Sequence, residues 1–382
     1  MEYSQIEINN FKQKLQQGQT LDDLADLVNY VIEVQNQKDG TNYKLVSVKR
    51  LKHYYANINN KYANFVIPKK TGGTRTITAP DKFLKKVQRR INLLLTFFFE
   101  PKFAAHGFLD ARSIVTNARN HVGKKYVLNV DLKDFFPSIH FGRIKAVLQL
   151  PIFGVRAEHL PFDSNKIDTL LILETLYKFG IKPEFAHIIS NFCCYESKLP
   201  QGAPTSPIIT NIVSQSLDYK LVKFAKAYHC FYTRYADDIT FSCNKARFDD
   251  VFLKKLNEII ISEGFLINEK KTRVQNKTVR QEVTGVTVNE KLNLQQDYIR
   301  NVRAMLHNWE KYGYENANAK FAKFYPREKG FMRNKVIPPL ESVVSGKIMF
   351  LGMVRGKEDV LYKKYNDQLK KLIELKKSNN GR

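Results

Sequence analysis

The sequence predicts an α+β fold with several lobes set around one cleft. Three observations predict it. Short apolar runs bounded by Gly, Pro and Asp turns fill the middle of the chain, helical spacing of apolar residues marks both ends, and 382 residues exceed one average domain. A content of 43% hydrophobic and 12% aromatic residues supplies a core and excludes a disordered chain. The expected divisions are a helical extension over 1–60, a central body over 61–290 that holds the cleft, and a basic helical lobe over 291–382.

In the extension, Leu21, Leu24, Leu27 and Val28 recur at helical spacing, and Thr20 ahead of Asp22 and Asp23 marks a helix start. The central body opens with Tyr62 to Pro68, then Lys69-Lys70-Thr71-Gly72-Gly73-Thr74, then Arg75 to Pro80, which reads as strand, glycine turn, strand: a basic hairpin. Tyr126 to Val130 is a short buried strand that delivers Asp131 at its end, and Leu170 to Phe192 reads as helix, interrupted near Pro183. A second hairpin spans 230–243. There Phe231, Thr233 and Tyr235 alternate with Tyr232 and Arg234, Ile239-Thr240-Phe241 return, and Ala236-Asp237-Asp238 form the turn. From about Asp297 the pattern is mostly helical, and Leu361 to Arg382 carries seven Lys or Arg against Asp367 and Glu374, a net of +5. No internal repeat or low-complexity linker breaks the chain, so one compact multi-lobe protein is expected.

The balance of 62 Lys and Arg against 37 Asp and Glu gives a net charge of +25, which repels itself unless something anionic shares the surface. Nucleic acid is the leading partner; a basic surface touching anionic lipid is the alternative. The N-terminal residues lack a signal-peptide pattern, and the longest apolar stretch, Ile91 to Phe99, is interrupted by Asn92 and Thr96 and is too short to span a bilayer. A cytoplasmic, membrane-free protein is expected. The cysteines at 193, 194, 230 and 243 have no CxxC spacing, which excludes a zinc knuckle and a disulfide framework.

Asp237 and Asp238 are adjacent carboxylates at a strand turn, and two such charges a few ångströms apart repel by roughly 4 kcal/mol at an effective dielectric of 20. A cation is expected there. Magnesium suits, with manganese as the alternative, because it takes hard oxygen ligands from one or two carboxylates plus substrate phosphates. Asp131, at the end of another central strand, completes a set able to clamp two metals, one activating a hydroxyl nucleophile and one stabilising a leaving pyrophosphate: nucleotidyl transfer. Taken alone, an Asp-Asp turn is also an ordinary turn.

Its surroundings decide between the two. Tyr235-Ala236-Asp237-Asp238 resembles the signature of the reverse transcriptases, and further blocks resembling that family stand around it in the family's order, over roughly residues 60 to 290. The resemblance implies a right-hand polymerase with fingers, a palm of antiparallel sheet plus helices, and a helical thumb over 291–382. It makes Asp131, Asp237 and Asp238 the catalytic metal ligands. Asn129 to Ile139 resembles the first catalytic block, in which Phe136, five residues after Asp131, packs under the sugar of the incoming nucleotide. A ring there leaves no room for a 2'-hydroxyl and so selects deoxynucleoside triphosphates by exclusion; Asp134 is expected to cap the following turn rather than bind metal. Leu199 to Pro207 resembles the second block, whose Gly- and Pro-rich loop brings Gln201 to the nucleotide. In the basic hairpin, Lys69, Lys70 and Arg75 resemble the residues that grip the triphosphate, Arg offering a planar fork and Lys a point charge. Glu263 to Thr272 resembles the block after the Asp-Asp turn, in which Lys271, or Lys270, protonates the pyrophosphate.

Two further strings resemble the retron branch of the family: Asn117-Ala118-Arg119-Asn120-His121 before the first catalytic block, and Val283-Thr284-Gly285 after the palm; Phe192-Cys193-Cys194-Tyr195 ahead of the glycine loop agrees with them. Retron resemblance implies a cognate structured non-coding RNA, priming from the 2'-hydroxyl of one of its guanosines, and a branched RNA-DNA hybrid as product. It further implies anti-phage defence with an effector protein from the same operon. RNA contacts are then expected at Asn117, His121, Val283, Thr284 and Gly285. In the basic lobe they are expected at Lys363 and Lys370, with Lys364 and Lys371 on the same spacing and Tyr362 and Tyr365 available to stack on bases. No ribonuclease H or endonuclease segment is evident after residue 300. The alternatives are a defence or group II intron-derived reverse transcriptase that makes no branched DNA, and a catalytically idle RNA-binding scaffold of a toxin-antitoxin complex.

Overall fold

The computed structural model describes residues 3–68, 72–150, 180–329 and 336–380. Thr20 caps the helix Leu21–Asp39 as the turn chemistry requires: its hydroxyl accepts from the Asp23 amide while the Asp23 carboxylate accepts from the Thr20 amide at 2.8 Å. That helix lays Leu24, Leu27 and Val28 into the main core, with Phe11 from the helix Gln5–Gln17. The same core holds Phe185, Ile209 and Phe241, so the first sixty residues share the interior of the central body.

Strand β1 (Tyr62–Pro68) pairs antiparallel with β2 (Thr74–Pro80), which sets Arg75 opposite Ile67. Gly72 and Gly73 take φ of 87° and 77° at the tip, a backbone that side chains disfavour. Lys69, Lys70 and Thr71 lie outside the described residues. A four-stranded antiparallel sheet follows, in the order β4 (Phe231–Tyr235), β5 (Asp238–Cys243), β3 (Tyr126–Asp131), β6 (Arg273–Asn276). Strand β3 is buried on both faces, which is why it reads as an unbroken apolar run: Leu128 and Val130 enter the main core, and Val127 enters a second one.

That second core belongs to the four helices Gln296–Tyr312, Tyr314–Lys329, Leu340–Arg355 and Val360–Asn380, through residues such as Leu306, Trp309, Ile348 and Leu369. It is closed by Val283 and Val286 of a small hairpin, β7 (Glu282–Val283) and β8 (Val286–Thr287), and by Val115 and Ala118 of the helix Ile114–Arg119. Among the described residues no helix is long and apolar enough to cross a membrane.

The helix expected over 170–192 with an interruption near Pro183 is described as Pro183–Cys193, with Pro183 in the first turn, where its missing amide costs no hydrogen bond; residues 170–179 lie outside the described residues. One expectation changes. Tyr365 does not stand free for base stacking. It is 4% exposed in the second core, whose helix packing claims it.

Candidate active site

The pairing of β3 with β5 sets Asp131 directly opposite Asp238, and the tight β4–β5 turn of Ala236 and Asp237 carries the third carboxylate beside them. Ala236 holds φ of 57°, a left-handed conformation for a residue with a side chain. Its surroundings hold it there. Arg234, fully buried beneath the turn, reaches the Asp218 carboxylate through Nε and Nη2, both at 2.7 Å, and donates to the Ala236 carbonyl at 3.2 Å. The Tyr232 hydroxyl donates to the same Asp218 at 2.7 Å, and Asn211 bridges from Arg234 to the Gly107 carbonyl. Gly107 lies so close against the turn that a Cβ would sit 2.5 Å from the Ala236 amide nitrogen.

Asp131 is nearly buried and has two side-chain partners, Lys271 Nζ at 2.8 Å and Asn268 Nδ2 at 2.9 Å. Lys271, rather than Lys270, is therefore the lysine at the carboxylates, and its hydrogen bond to Asp131, reinforced by the charges of Asp131, Asp237 and Asp238, holds its ammonium above the usual lysine range. Desolvation among packed protein atoms pushes Asp237 up, with Asp131 adding and with Lys271 and Arg75 opposing. Asp238 is exposed on one side but crowded on its others; crowding, then the charges of Asp237 and Asp131, push it up to about 6.

Among the described residues no group of acidic, histidine or cysteine side chains forms a ready-made metal cage. The donor set nonetheless fits a hard divalent ion. Two of its carboxylates are held above their usual range by crowding and by one another, and such an ion completes its shell with phosphate and water rather than with protein alone.

Asp131 and Asp237 open on a cavity of about 490 Å³ that Arg75, Phe136, Gln201 and Lys271 also line. Residues quoted from five separate stretches of sequence thus meet around one space. The Phe136 ring is half-buried and packs against Phe135 and Phe108, at centroid distances of 5.9 and 6.2 Å. Gln201 joins the hairpin to the glycine loop, its carbonyl accepting from the Thr78 amide at 2.9 Å. Asp134 lines the cavity with φ of 48° and receives the Ser138 amide on its backbone carbonyl, so the cap expected of its side chain is made by the main chain.

The sequence reading missed Asn268, whose amide and side chain both fix Asp131. It also missed the turn Tyr195 to Lys198, which forms part of the cavity wall with Glu196 and Ser197 at φ of 48° and 58°. Asn268 lies inside the block quoted for its lysines, so the signal was present but assigned to its neighbour. The turn carries no Gly or Asn-Gly to announce it.

The residues expected at RNA separate into two sets. Asn117, His121 and Val283 are fully buried. His121 is clasped between Ser242 Oγ at 2.7 Å and Thr233 Oγ1 at 2.8 Å, and burial pushes its pKa down to about 3, so it is a neutral internal prop. The Asn117 side chain faces Thr284, whose hydroxyl donates to the Ile114 carbonyl at 3.2 Å. This corrects the expectation of direct RNA contact for Asn117, His121 and Val283, which join the sheet to the helical lobe instead. Thr284 is half-buried, and Gly285, Lys363 and Lys370 are exposed, with Lys363 paired to Glu358.

The family of reverse transcriptases (RNA-dependent DNA polymerases) matches over residues 67–288. Retron Mx65 reverse transcriptase of Myxococcus xanthus is 38% identical over 297 residues, 75% of this chain and 66% of that protein. Retron Mx162 reverse transcriptase of the same organism is 38% identical over 266 residues, 65% of this chain and 53% of the relative. Retron Ec86 reverse transcriptase of Escherichia coli is 30% identical over 277 residues, 71% of this chain and 77% of the relative. The chain therefore spans about half to two thirds of the length of the two Myxococcus relatives.

Proposed function

The chain belongs to the retron reverse transcriptases, and from that premise we propose that it polymerises deoxynucleotides on an RNA template in the cavity between hairpin β1–β2 and the four-stranded sheet. The fold is then the right hand: the hairpin serves as fingers, the sheet as palm, and the four helices over 291–382 as thumb. One observation carries the reading. Asp131 and Asp238 face each other across paired strands, and Asp131 together with Asp237 of the adjoining turn borders a cavity that Arg75, Phe136, Gln201 and Lys271 share.

Asp131, Asp237 and Asp238 would hold magnesium, or manganese, which when bound supplies charge neutralisation for the phosphates and acidity for the attacking hydroxyl. The protein's own groups do the rest. Arg75 presents its planar fork to the triphosphate, with Lys69 of the same hairpin as a point charge. Phe136 closes the space a 2'-hydroxyl would need, and Gln201 borders the nucleotide from the glycine loop. Lys271, bonded to the Asp131 carboxylate, is the proton source for the departing pyrophosphate.

At the finer level the enzyme binds its own structured RNA, primes from a guanosine 2'-hydroxyl in it, and makes single-stranded DNA joined to that RNA. It does so in the cytoplasm, in anti-phage defence with an effector protein. Exposed Gly285, Lys363 and Lys370, with half-buried Thr284, remain the candidate RNA contacts. Sequencing of the nucleic acid that co-purifies with the protein tests this: a 2'-5' linked RNA-DNA hybrid is expected, and its absence overturns the retron product. Asp237→Asn should abolish deoxynucleotide incorporation while RNA stays bound; wild type that extends no primer on its own RNA would refute the polymerase reading.

A further inference from the structure

Phe108 stands out beside Phe136, a residue of the cavity lining. It is a bulky aromatic at φ of 61°, a conformation that costs energy for such a side chain, yet its ring is 46% exposed and so is not held there by burial. The clamp lies on either side of it. Gly107 is pressed against the Ala236 amide, its carbonyl accepts from Asn211 Nδ2 at 2.9 Å, and the His106 amide donates to the Arg234 carbonyl at 2.8 Å. On the other side Leu109 packs against the main core. A chain fixed to the catalytic turn at residues 106 and 107 and drawn into the core at 109 leaves residue 108 only the left-handed backbone.

The strain has an effect on one neighbour. The Phe108 ring lies 6.2 Å from that of Phe136 at an interplanar angle of 50°, within the range of attractive aromatic pairs. Phe136 also meets Phe135 at 5.9 Å, and Phe135 is anchored in turn on Phe265 at 5.4 Å. Phe136 is therefore in contact with one buried ring and one exposed ring. Without the exposed ring it would lose one of these aromatic contacts, and rotation away from the sugar position would be less opposed.

We propose that Phe108 is a positioning residue for sugar discrimination, holding the Phe136 ring where it excludes a 2'-hydroxyl. The proposal rests on the reading of Phe136 as the sugar gate. It also gives the clamp on residues 106–109 a role: the loop that braces the carboxylate turn aims the gate as well, so metal site and sugar filter are set by one piece of backbone.

The test measures kcat/KM for a deoxynucleotide and its ribonucleotide counterpart on a primer–template with the full chain. Phe108→Asn removes the ring while keeping a residue that tolerates the left-handed backbone, and Phe108→Tyr restores a ring. Phe108→Asn should lower the deoxy-to-ribo ratio by about three- to tenfold, the size expected for loss of one aromatic contact. The fall should come through a rise in ribonucleotide incorporation, and Phe108→Tyr should return the ratio to the wild-type value. A loss of structure would depress both substrates together and leave the ratio alone, which would overturn the proposal. Phe136→Ala serves as the control. If it changes the ratio and Phe108→Asn does not, the positioning role falls and the gate stands; if neither changes it, the gate falls and the positioning role with it.

Discussion

Replacing Asp218 by Asn removes one negative charge and little volume from beneath the catalytic turn. Arg234 is fully buried, and both of its 2.7 Å contacts with Asp218 would lose their ionic partner, as would the Tyr232 hydroxyl. An arginine cannot discharge itself by giving up its proton, so the variant must bury an unpaired cation or open the structure to hydrate it. Breaking a buried pair in this way costs about 3–5 kcal/mol, a large share of the roughly 5–15 kcal/mol that stabilises an ordinary domain. Urea unfolding followed by circular dichroism should show the midpoint fall accordingly, and polymerisation should fall with it, because Arg234 also holds the Ala236 carbonyl. The double variant Asp218→Leu with Arg234→Met separates the two effects. Apolar replacement of both partners should restore most of the stability, whereas the turn bearing Asp237 stays unpinned and incorporation remains at least about tenfold down. A loss below about 1 kcal/mol for Asp218→Asn, or a fully active double variant, would refute the account of Arg234 as the support of the turn.

At Gly202, φ is 140° and a Cβ would lie 2.8 Å from the Thr78 carbonyl oxygen, so Gly202→Ala should push the hairpin off the glycine loop. A raised KM for deoxynucleotides with the unfolding free energy lowered by about 1–3 kcal/mol is expected, and an unchanged KM would show that the hairpin docks by other contacts. For His121 the sign follows from its low pKa, about 3 in the folded chain. The unfolded chain takes up that proton first, near the unperturbed pKa of about 6.5, so the stability is complete above about pH 6.5 and is lost progressively down to about pH 3. At pH 5 the loss is about 2 kcal/mol relative to pH 8, and His106, lowered to about 4 by burial, adds in the same direction. The His121→Asn variant, less stable at pH 8, should show a shallower decline between the two; parallel curves would remove His121 from the acid sensitivity.

Where a role depends on local order, the sequence displayed it. Asp131 stands at the end of a six-residue strand, Asp237 in a two-residue turn and Asp238 at the start of the next strand, because apolar runs and turn residues declare strands and their ends. Arg75, Phe136 and Gln201 were found by family blocks, and packing brought them to the same cavity. Buried polar residues stayed hidden. His121, Arg234 and Asn117 look like surface residues in a linear reading, since nothing nearby announces the Ser242, Asp218 or Thr284 that satisfies them from across the fold. In β4, Tyr232, Thr233 and Arg234 are all buried because polar partners from other parts of the fold cover them. Asn268 escaped for a related reason: its importance is a contact with Asp131, far away along the chain.

Strand β3 is a party wall. Val127 belongs to the interior of the helical lobe, Leu128 and Val130 to that of the body, and Asp131 stands at the end of the same six residues. Severing the chain near residue 290 would therefore not yield two sound halves. The body would be left with Val115, Ala118 and Val127 facing water, and the strand that carries the first carboxylate would lose half of its insulation. Melting of either lobe must loosen the other, so the protein should come apart in one step, and the stiffness of its catalytic centre is borrowed in part from helices that never touch it.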